Sequence, residues 1–589
     1  MFVNVIRGAL LGLSLGAEAR SLSRANSDAR QSSSCENTAT SRNCWGEYSI
    51  DTDYYQTTPD TGVTREYWLT AEKIVLAPDG YEREVQVFNG SLPGPTIEAN
   101  WGDEVVIHVT NAIPDNGTAI HWHGIRQLNT NHHDGVPGVT QCPISPGETV
   151  TYRWRATQYG TTWYHSHFSL QLAEGLYGPI VIHGPATADY DVDVGAVMIQ
   201  DWSHVSAFEV WEETQRKIAL YQPVAENGLI NGLNPFDCDG STDAACIGTS
   251  ERYEINFEQG KKYLLRIVGI QADGWMKFTI DNHNLTVIAN DLVPIEPYTT
   301  TNVILASGQR YDVIVEANQD VDNYWLRAIY QTACNNNDND NKDNILGVVR
   351  YNGSDATQDP ASTVDSDIDD SCGDEPYDSL VPWLSHEVGD SVIEDYLALG
   401  WFYELDLVFH WTIQSKTLIV NWSAPTIMDV YDDGGPTPDF PDNSNVVSVD
   451  VVDQWVYWVI QDLTLVNAFH PMHLHGHDFY ILAQGSGAFL PGITALNTKN
   501  PPRRDTATLH GNGYLVIAFK TDNPGSWLLH CHIAWHASQG LAMQLVERAS
   551  EIPSLMDADV GSMTDTCQAW NTFYSSPDQA DDEQDDSGI

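Results

Sequence analysis

The stretch that most restricts the fold of this chain is His530-Cys531-His532, which is followed by a further imidazole at His536. One thiol among several imidazoles suits copper better than calcium, magnesium or a cysteine-rich zinc site. In an extended segment successive side chains point to opposite faces, so Cys531 would face one way and its two neighbours the other. We therefore expect a β-strand that serves two metal centres at once, with further ligands elsewhere in the chain.

The rest of the chain repeats the spacing of these histidines. Eleven of the 20 histidines fall in four short windows, and every window contains a His-x-His pair. One such pair is most often an ordinary polar pair on a strand, but four pairs favour a shared site. The other three windows are His121-Trp122-His123, His165-Ser166-His167 and His470-Pro471-Met472-His473-Leu474-His475-Gly476-His477. Because two windows lie early and two late, we expect a metal cluster where the first and last parts of the chain meet.

Short alternating or apolar runs, separated by Gly, Pro and Asn, fill most of the chain. They recur in three blocks, at residues 66–183, 189–372 and 405–547. Many short strands at this spacing are typical of β-sandwiches and barrels, and their recurrence indicates an internal repeat of one β-domain. Residues 335–344 and 365–378 are rich in Asp, Asn and Ser. We expect solvated loops and a linker there rather than a calcium site, since the EF-hand ligand spacing is missing.

The first 19 residues have the pattern of a secretory signal peptide, with a basic residue, a short apolar run and a small-x-small end. Residues 20–30 would form a short pro-segment. No later stretch contains about 18 consecutive apolar residues, so a membrane span is not expected. The chain is therefore predicted to be secreted and extracellular.

The charge of the chain is strongly negative, because 81 acidic residues outnumber 28 basic ones and give a formal net charge of −53. Such a surface repels nucleic acid and anionic membranes and favours neutral or cationic partners. N-x-S/T sequons are potential glycan sites and are compatible with secretion. They occur at Asn89, Asn116, Asn284, Asn352 and Asn421.

Nine cysteines in a secreted chain leave one over after four disulfides. The odd thiol is best assigned to Cys531, which lies between histidines. Spacing makes the pairs Cys35 with Cys44 and Cys238 with Cys246 plausible. The pairing of the remaining four stays open from the sequence, and these are Cys142, Cys334, Cys372 and Cys567.

The four histidine windows, in this order, resemble the copper signatures of the multicopper oxidases, and specifically of the laccases of filamentous ascomycete fungi. The resemblance extends from about Cys35 to Ile589 and includes Phe88 to Pro95 and Trp101-Gly102-Asp103. It implies an all-β fold of three consecutive cupredoxin-like Greek-key domains, at residues 31–188, 189–375 and 376–589. It also implies four copper ions.

The resemblance carries the copper ligands over to this chain residue by residue. His470, Cys531 and His536 would hold the type 1 copper, and His121 and His473 the type 2 copper. The type 3 pair would be held by His123, His165, His167, His475, His530 and His532. This division agrees with the strand argument, since Cys531 and its two neighbours serve different centres.

Leu541 occupies the axial type 1 position of the family pattern. Leucine cannot ligate, so the reduction potential should exceed that of a methionine-ligated site. Met543 is a rival donor by chemistry although not by alignment. A plain core role for Leu541 describes the same position equally well.

Two carboxylates match functional positions of the family. Asp134 corresponds to an acidic residue near the type 2 and type 3 coppers, where protons must arrive, and Asp273 to the carboxylate that accepts the hydrogen of a phenol. Both precede a glycine, so a turn role is the alternative for each. His477 lies in a signature without being a ligand in the family. The remaining histidines, among them His132 and His133, are expected to be surface or hydrogen-bonded residues.

The resemblance implies laccase activity, in which phenolic or aromatic substrates are oxidised by single electrons and dioxygen is reduced to water. Asp586-Ser587-Gly588-Ile589 resembles the C-terminal plug of ascomycete laccases, whereas composition alone favours an exposed acidic tail. The protein is expected to be monomeric. The alternatives are another multicopper oxidase, such as a ferroxidase or ascorbate oxidase, and a secreted copper-binding protein without catalysis.

Overall fold

The computed structural model describes residues 35–217, 223–335, 338–364, 368–433, 439–576 and 584–589. The signal peptide and pro-segment predicted for residues 1–30 lie outside this range. The described residues form 32 strands and five α-helices. The all-β fold class is therefore confirmed.

The first part of the chain is a sandwich of two four-stranded sheets, with strand orders β4-β3-β6-β8 and β5-β10-β9-β7, and a small hairpin, β1-β2. Side chains from both sheets share one apolar core that includes Trp122, Trp154 and Tyr164. The strands are β1 Cys44–Trp45, β2 Tyr48–Ser49, β3 Thr64–Leu76, β4 Arg83–Phe88, β5 Ile97–Asn100, β6 Glu104–Asn111, β7 Ile120–His123, β8 Thr149–Arg155, β9 Gly160–Ser166 and β10 Tyr177–His183.

The second part pairs a six-stranded with a five-stranded sheet, in the orders β12-β11-β14-β19-β16-β17 and β13-β21-β20-β15-β18. The two sheets enclose a core of their own. The elements are β11 Val192–Trp202, α1 Ala207–Thr214, β12 Asn227–Ile230, β13 Glu254–Phe257, β14 Lys262–Gly269, β15 Met276–Ile280, β16 Leu285–Asn290, β17 Val293–Thr300, β18 Asn302–Leu305, β19 Arg310–Glu316, β20 Asn323–Tyr330 and β21 Leu346–Tyr351.

The third part repeats this plan with the sheets β23-β22-β25-β30-β27-β28 and β24-β32-β31-β26-β29. It adds helices after the last strand, which the sequence patterns did not predict. The elements are β22 Ser391–Tyr403, β23 Phe409–Ile413, α2 Thr426–Asp433, β24 Val446–Val449, β25 Trp455–Asp462, β26 His470–Leu474, β27 Phe479–Ser486, β28 Arg503–Arg504, β29 Thr506–Leu509, β30 Gly513–Lys520, β31 Gly525–Cys531, α3 Ala534–Ser538, β32 Ala542–Glu547, α4 Ile552–Met556 and α5 Val560–Tyr574.

The internal repeat is visible in the strand directions. Each large sheet contains one parallel pair among antiparallel neighbours, namely β3 with β6 and β10 with β5 in the first part, β11 with β14 and β13 with β21 in the second, and β22 with β25 and β24 with β32 in the third. A parallel pair requires a connection that crosses over rather than a hairpin. The three parts therefore share one crossed topology.

The two loops expected to be solvated are partly buried. The Asn335 amide donates to the carbonyl oxygen of Phe469 at 3.0 Å, and the Asn339 amide donates to that of Asn227 at 2.7 Å. Asp374 accepts hydrogen bonds from the Gln309 and Gln484 side chains. The prediction of fully solvated loops was wrong for these residues, because composition does not reveal the distant donors and acceptors that their polar side chains meet.

Four disulfides are present, and Cys531 is buried without one. The predicted pairs Cys35–Cys44 and Cys238–Cys246 are confirmed, and the structure adds Cys334–Cys372 and Cys142–Cys567. The last of these joins α5 to the first sandwich. Across the described ranges, no helix combines the length and apolar character needed to span a membrane.

Candidate metal centres

Strand register brings the four histidine windows together in pairs. On the antiparallel strands β7 and β9, His121 lies directly opposite His165. On β26 and β31, His473 lies opposite His530, and Met472 lies opposite Cys531. Because directly opposed side chains share one face of a sheet, each pair of strands presents its histidines together.

The first and third sandwiches then bring their histidines into one cluster. The ring centroids of His167 and His530 are 5.0 Å apart, and those of His165 and His532 are 5.4 Å apart. His123 stacks on His473 at 3.9 Å. Eight buried histidines form this cluster, which we call the histidine cluster: His121, His123, His165, His167, His473, His475, His530 and His532.

Hydrogen bonding leaves unused lone pairs inside the histidine cluster. Six Nε2 atoms of the histidine cluster have no hydrogen-bond partner among the described residues, those of His121, His165, His167, His473, His475 and His530. In five of these rings Nδ1 instead faces an oxygen acceptor at 2.8–2.9 Å, with His167 the exception. Carbonyl and carboxylate oxygens only accept, so Nδ1 carries the proton and Nε2 keeps a lone pair.

His123 and His532 show most clearly that a cation fits the histidine cluster. Nδ1 of His123 lies 3.2 Å from Nε2 of His532. His123 Nε2 faces a carboxylate oxygen of Asp505 at 3.2 Å, so Nε2 carries the proton of the ring and Nδ1 keeps the lone pair. The Ser307 hydroxyl donates to a carbonyl at 2.5 Å and accepts from His532 Nδ1 at 3.0 Å. Two lone pairs therefore face each other, and a metal ion between them would satisfy both.

Burial favours the uncharged form of seven histidines of the cluster, which are His123, His165, His167, His473, His475, His530 and His532. It is the main cause that lowers the pKa of His530 to about 3, and it lowers those of His165 and His167 well below the ordinary value. Neighbouring imidazoles lower these pKa values further. Neutral imidazole is the form that ligates a metal, so these seven side chains can bind a metal ion without first losing a proton.

A second, smaller site lies beside the cluster. The sulfur of Cys531 is 3.6 Å from His470 Nδ1 and 3.5 Å from His536 Nδ1, and the two nitrogens are 3.1 Å apart. All three residues are fully buried. Burial raises the pKa of the Cys531 thiol far above its usual range, so a thiolate here requires a bound cation. One soft and two borderline donors fit copper.

The main chain places Leu541 at this smaller site. Its N–H donates to the carbonyl oxygen of His536, and its own carbonyl accepts from the Cys531 N–H, both at 3.0 Å. Met543 is also buried, but it lies opposite Leu529 in the β31–β32 register. The axial position of Leu541 remains a prediction, and the register is consistent with it.

Asp134 contacts two members of the histidine cluster. Its carboxylate accepts from His475 Nδ1 at 2.8 Å, and its carbonyl oxygen accepts from His121 Nδ1 at 2.9 Å. The residue is fully buried and follows the 3₁₀ turn Asn131–His133. It is thus a turn residue that also orients two imidazoles, while its role in proton supply stays a prediction.

Asp505 and Arg310 are the main residues that the sequence patterns missed. The Asp505 carbonyl accepts from His473 Nδ1 at 2.8 Å, while its carboxylate takes two hydrogen bonds from Arg310, both at 2.7 Å. Both residues are buried, and Asp291 lies 3.5 Å from the same guanidinium. The charged run Arg503-Arg504-Asp505 before a short strand was the only sequence signal of a buried network.

Asp273 lies beside the smaller site, at the edge of an apolar hollow. The Ala272 carbonyl accepts from the Ala534 N–H at 2.9 Å, which brings this turn against the loop that carries His536. Asp201, which the sequence did not single out, accepts the N–H groups of residues 272–274 at 2.7–3.0 Å and fixes the turn. The hollow is lined mainly by apolar side chains, among them Val205, Val210, Val224 and Trp535.

The last three residues of the chain are buried. This agrees with the resemblance of residues 586–589 to a C-terminal plug, and not with the exposed tail that their acidic surroundings favoured. Ile589 packs in an apolar cluster with Phe168 and Leu528. The Val420 N–H donates to the Ser587 carbonyl at 3.0 Å, and the Trp422 indole donates to that of Gly588 at 2.9 Å. The tail thus packs against Phe168, the residue that directly follows His167. Blockage of an oxygen tunnel remains a prediction.

Asp586 is expected to make the docking of this tail pH-dependent. Burial raises the pKa of Asp586 from 3.8 to about 7, although hydrogen bonds from Ser169 and Gly588 oppose the shift. A carboxyl group with a higher pKa when docked binds its proton more tightly there, so docking is strongest below about pH 4 and weakens toward pH 7. Release of the last residues by a carboxypeptidase should accelerate over this range. Asp586→Asn should abolish the dependence, and an equally steep profile in that variant would contradict the assignment.

The histidines that were not predicted as ligands have other partners. His477 bonds to the His475 carbonyl and to Glu547, both at 3.0 Å. His204 contacts Asp79 at 2.7 Å, and His283 contacts a tyrosine hydroxyl at 2.7 Å. The expectation of hydrogen-bonded residues is confirmed for these three.

Comparison with known proteins agrees with the geometry. Three family models, each described as multicopper oxidase, match residues 70–187, 193–354 and 419–551. Laccase-2 of Botryotinia fuckeliana is 53% identical over 563 residues, or 94% of each chain, and oxidoreductase OpS5 of Beauveria bassiana is 54% identical, over 94% of this chain and 93% of that protein. The crystal structure of the laccase from Botrytis aclada has a TM-score of 0.90 at 52% identity and covers 94% of this chain and 100% of that one. The chain therefore belongs to the multicopper oxidase family, and its cofactor is copper.

Proposed function

We propose that this protein is a laccase, which oxidises phenols by single electrons and reduces dioxygen to water. The observation that carries the proposal is the position of Cys531. Its sulfur belongs to the site beside the apolar hollow, whereas its neighbours His530 and His532 belong to the histidine cluster. The two sites are thus connected through adjacent residues of one strand end, as electron transfer between them requires.

The donor sets support four copper ions. His470, Cys531 and His536 would hold one. His167, His475 and His530, whose ligand atoms lie within 4.8 Å of one another, would hold a second. His123, His165 and His532 would hold a third, and His121 and His473 a fourth. Copper, when bound, accepts single electrons at the Cys531 site and supplies the four that dioxygen needs at the histidine cluster.

The hollow beside Asp273 supports an aromatic substrate. Apolar side chains and the Trp535 ring offer a surface on which a phenol ring loses its hydration. Asp273 stands at the edge of that surface, where it accepts the proton of the phenol hydroxyl as the electron leaves. Asp201 holds the Asp273 turn in place through three backbone N–H groups. At the oxygen-reducing site, we assign proton supply and imidazole orientation to Asp134.

The similarity to fungal laccases favours a phenol over other electron donors, and the apolar hollow agrees with it. Iron oxidation would instead call for a polar, carboxylate-rich surface that binds a hard cation. We further propose that the protein is secreted, from the pattern of its first 19 residues, and that it acts as a monomer on extracellular phenols.

Oxygen uptake with three electron donors tests the proposed function. The purified protein should contain about four coppers, show the intense blue band of a copper thiolate, and consume oxygen with 2,6-dimethoxyphenol. About four phenols should be oxidised for each oxygen, without release of peroxide. Faster turnover of ferrous iron or ascorbate than of the phenol would indicate another multicopper oxidase. Bound copper without any oxygen uptake would indicate a copper-binding protein.

Asp273→Asn should separate proton acceptance from electron transfer. Losing the carboxylate is expected to lower kcat/KM for a phenol by on the order of 10²-fold at acidic pH, because no base receives the hydroxyl proton. Oxidation of ferrocyanide, which releases no proton and is negatively charged, should be retained or increased. Asp239→Asn, an exposed substitution of the same kind, should change neither. Equal losses for both donors would argue that Asp273 only maintains the structure.

A further inference from the structure

Outside the two copper sites, two adjacent histidines converge on one carboxylate. His132 Nε2 lies 3.2 Å from an Asp559 carboxylate oxygen, and His133 Nε2 lies 3.9 Å from the same oxygen. The two imidazole centroids are 4.3 Å apart. The histidines belong to the 3₁₀ turn Asn131–His133 of the first sandwich, and Asp559 directly precedes α5. The group therefore joins two parts of the chain that are far apart in sequence.

The distances between these atoms suit a metal ion. Ligands that lie 2.0–2.2 Å from a tetrahedral zinc ion are roughly 3.3–3.6 Å from one another. The observed separations of 3.2 and 3.9 Å require only a small adjustment of His133. Borderline divalent ions such as zinc prefer a donor set of two imidazoles and one carboxylate, whereas calcium and magnesium prefer oxygen donors alone.

The protonation of the two imidazoles also favours a cation. Burial is the main cause that lowers the pKa of His132, and it lowers that of His133 well below its ordinary value. His132 lowers the pKa of His133 further, since two imidazolium groups so close repel each other. A neutral His132 donates its Nε2 proton to the Asp559 carboxylate, which has no fully charged cationic partner in this group. A divalent ion that replaces this proton would satisfy the carboxylate and both imidazoles.

The group is accessible to an ion from solvent. The three residues line a cavity of about 500 Å³, which is also bordered by Glu148 and Asp565. The Asp559 side chain is 32% exposed, while those of His132 and His133 are almost fully buried. The cavity has room for water molecules that complete the coordination. Its carboxylates outnumber its one guanidinium, that of Arg153, so the lining attracts cations on balance.

We propose that His132, His133 and Asp559 form a separate binding site for a borderline divalent ion such as Zn²⁺, distinct from the copper sites. The ion clamps the turn that carries Asp134 to the start of α5. Because α5 is also held by Cys142–Cys567, the site provides a second fastening of the C-terminal helix to the first sandwich. Metal binding at this site stabilises the folded chain by mass action.

Zinc titration of the copper-loaded enzyme tests the proposal. Calorimetry at pH 7, with metal analysis after desalting, should show one zinc per chain in addition to unchanged copper and an unchanged blue band. His133→Ala and Asp559→Asn should each weaken zinc binding at least about tenfold, the range seen when a metal site loses a supporting contact. Zinc should also raise the melting temperature of the parent protein and not that of the variants.

A matched control is available at another histidine–carboxylate pair. His410 lies 3.1 Å from Glu404, without a second imidazole, and His410→Ala should leave zinc binding unchanged. Asp559→Asn tests the site with little risk to folding, since the residue is partly exposed; its copper content and phenol turnover should equal those of the parent. Three results would overturn the proposal: zinc binding below half an equivalent, zinc that displaces copper, or zinc binding as strong in Asp559→Asn and His133→Ala as in the parent protein.

Discussion

Cys531→Ser is expected to lower phenol oxidation by a factor on the order of 10³ or more while the protein remains folded. Cys531 supplies the only thiol of the small site, between His470 and His536 at 3.6 and 3.5 Å. A serine hydroxyl is nearly the same size but is a hard, weakly acidic donor that binds copper poorly. Oxygen uptake with 2,6-dimethoxyphenol measures the loss.

The spectrum and the copper count give the same test independently of turnover. The variant should lose the intense blue band and retain about three of four coppers, because the eight histidines of the cluster are unchanged. Met543→Leu is the matched control, since Met543 is buried in the same core and lies opposite Leu529 rather than Cys531. A blue band in Cys531→Ser, or its loss in Met543→Leu, would contradict the assignment of the ligands.

Arg310→Met is expected to destabilise the protein by about 3–5 kcal/mol, the cost of leaving buried charges without their partner. Arg310 is fully buried and makes two 2.7 Å hydrogen bonds to Asp505, with Asp291 at 3.5 Å. Methionine fills most of the volume but leaves the Asp505 carboxylate without its guanidinium partner, whereas Asp291 keeps that of Arg504 at 3.1 Å. The midpoint of urea or thermal unfolding measures the effect.

Copper content should fall together with stability in this variant. Asp505 faces Nε2 of His123 and, through its carbonyl, Nδ1 of His473, so its displacement turns two imidazoles of the cluster. Arg216→Met is the matched control, because Arg216 is 41% exposed and its contact with Glu212 is a surface ion pair worth roughly 0–1 kcal/mol. Similar unfolding midpoints for the two variants would show that the Arg310 network adds little to the fold.

Residues close in sequence allowed much of the fold and site to be predicted. The alternation of apolar and polar residues predicted many short strands in three blocks, and each block contains such strands in the structure. The opposite orientation of Cys531 and its flanking histidines followed from the two-residue period of a strand.

Contacts between distant parts of the chain were not predictable in the same way. Arg310 and Asp505 are 195 residues apart, and Asp134 and His475 are 341 apart. A charged residue is normally exposed, so the sequence did not reveal that Arg310 and Asp505 are buried. Asp134 and His475 were both expected near the coppers, but not their contact with each other. The pairing of Cys142 with Cys567 stayed open from the sequence for the same reason.

The sequence by itself determined the metal, because ligand preference depends on residue type. It also determined that the strand from His530 to His532 serves two sites, because side-chain direction depends on local geometry. Only the tertiary structure decided which lone pairs are free to bind metal, since that depends on the oxygen each Nδ1 meets across the cluster. It also decided that His132 and His133 share Asp559, which follows them by more than 400 residues. Local chemistry is present in the chain before folding, whereas desolvation and partner choice exist only after it.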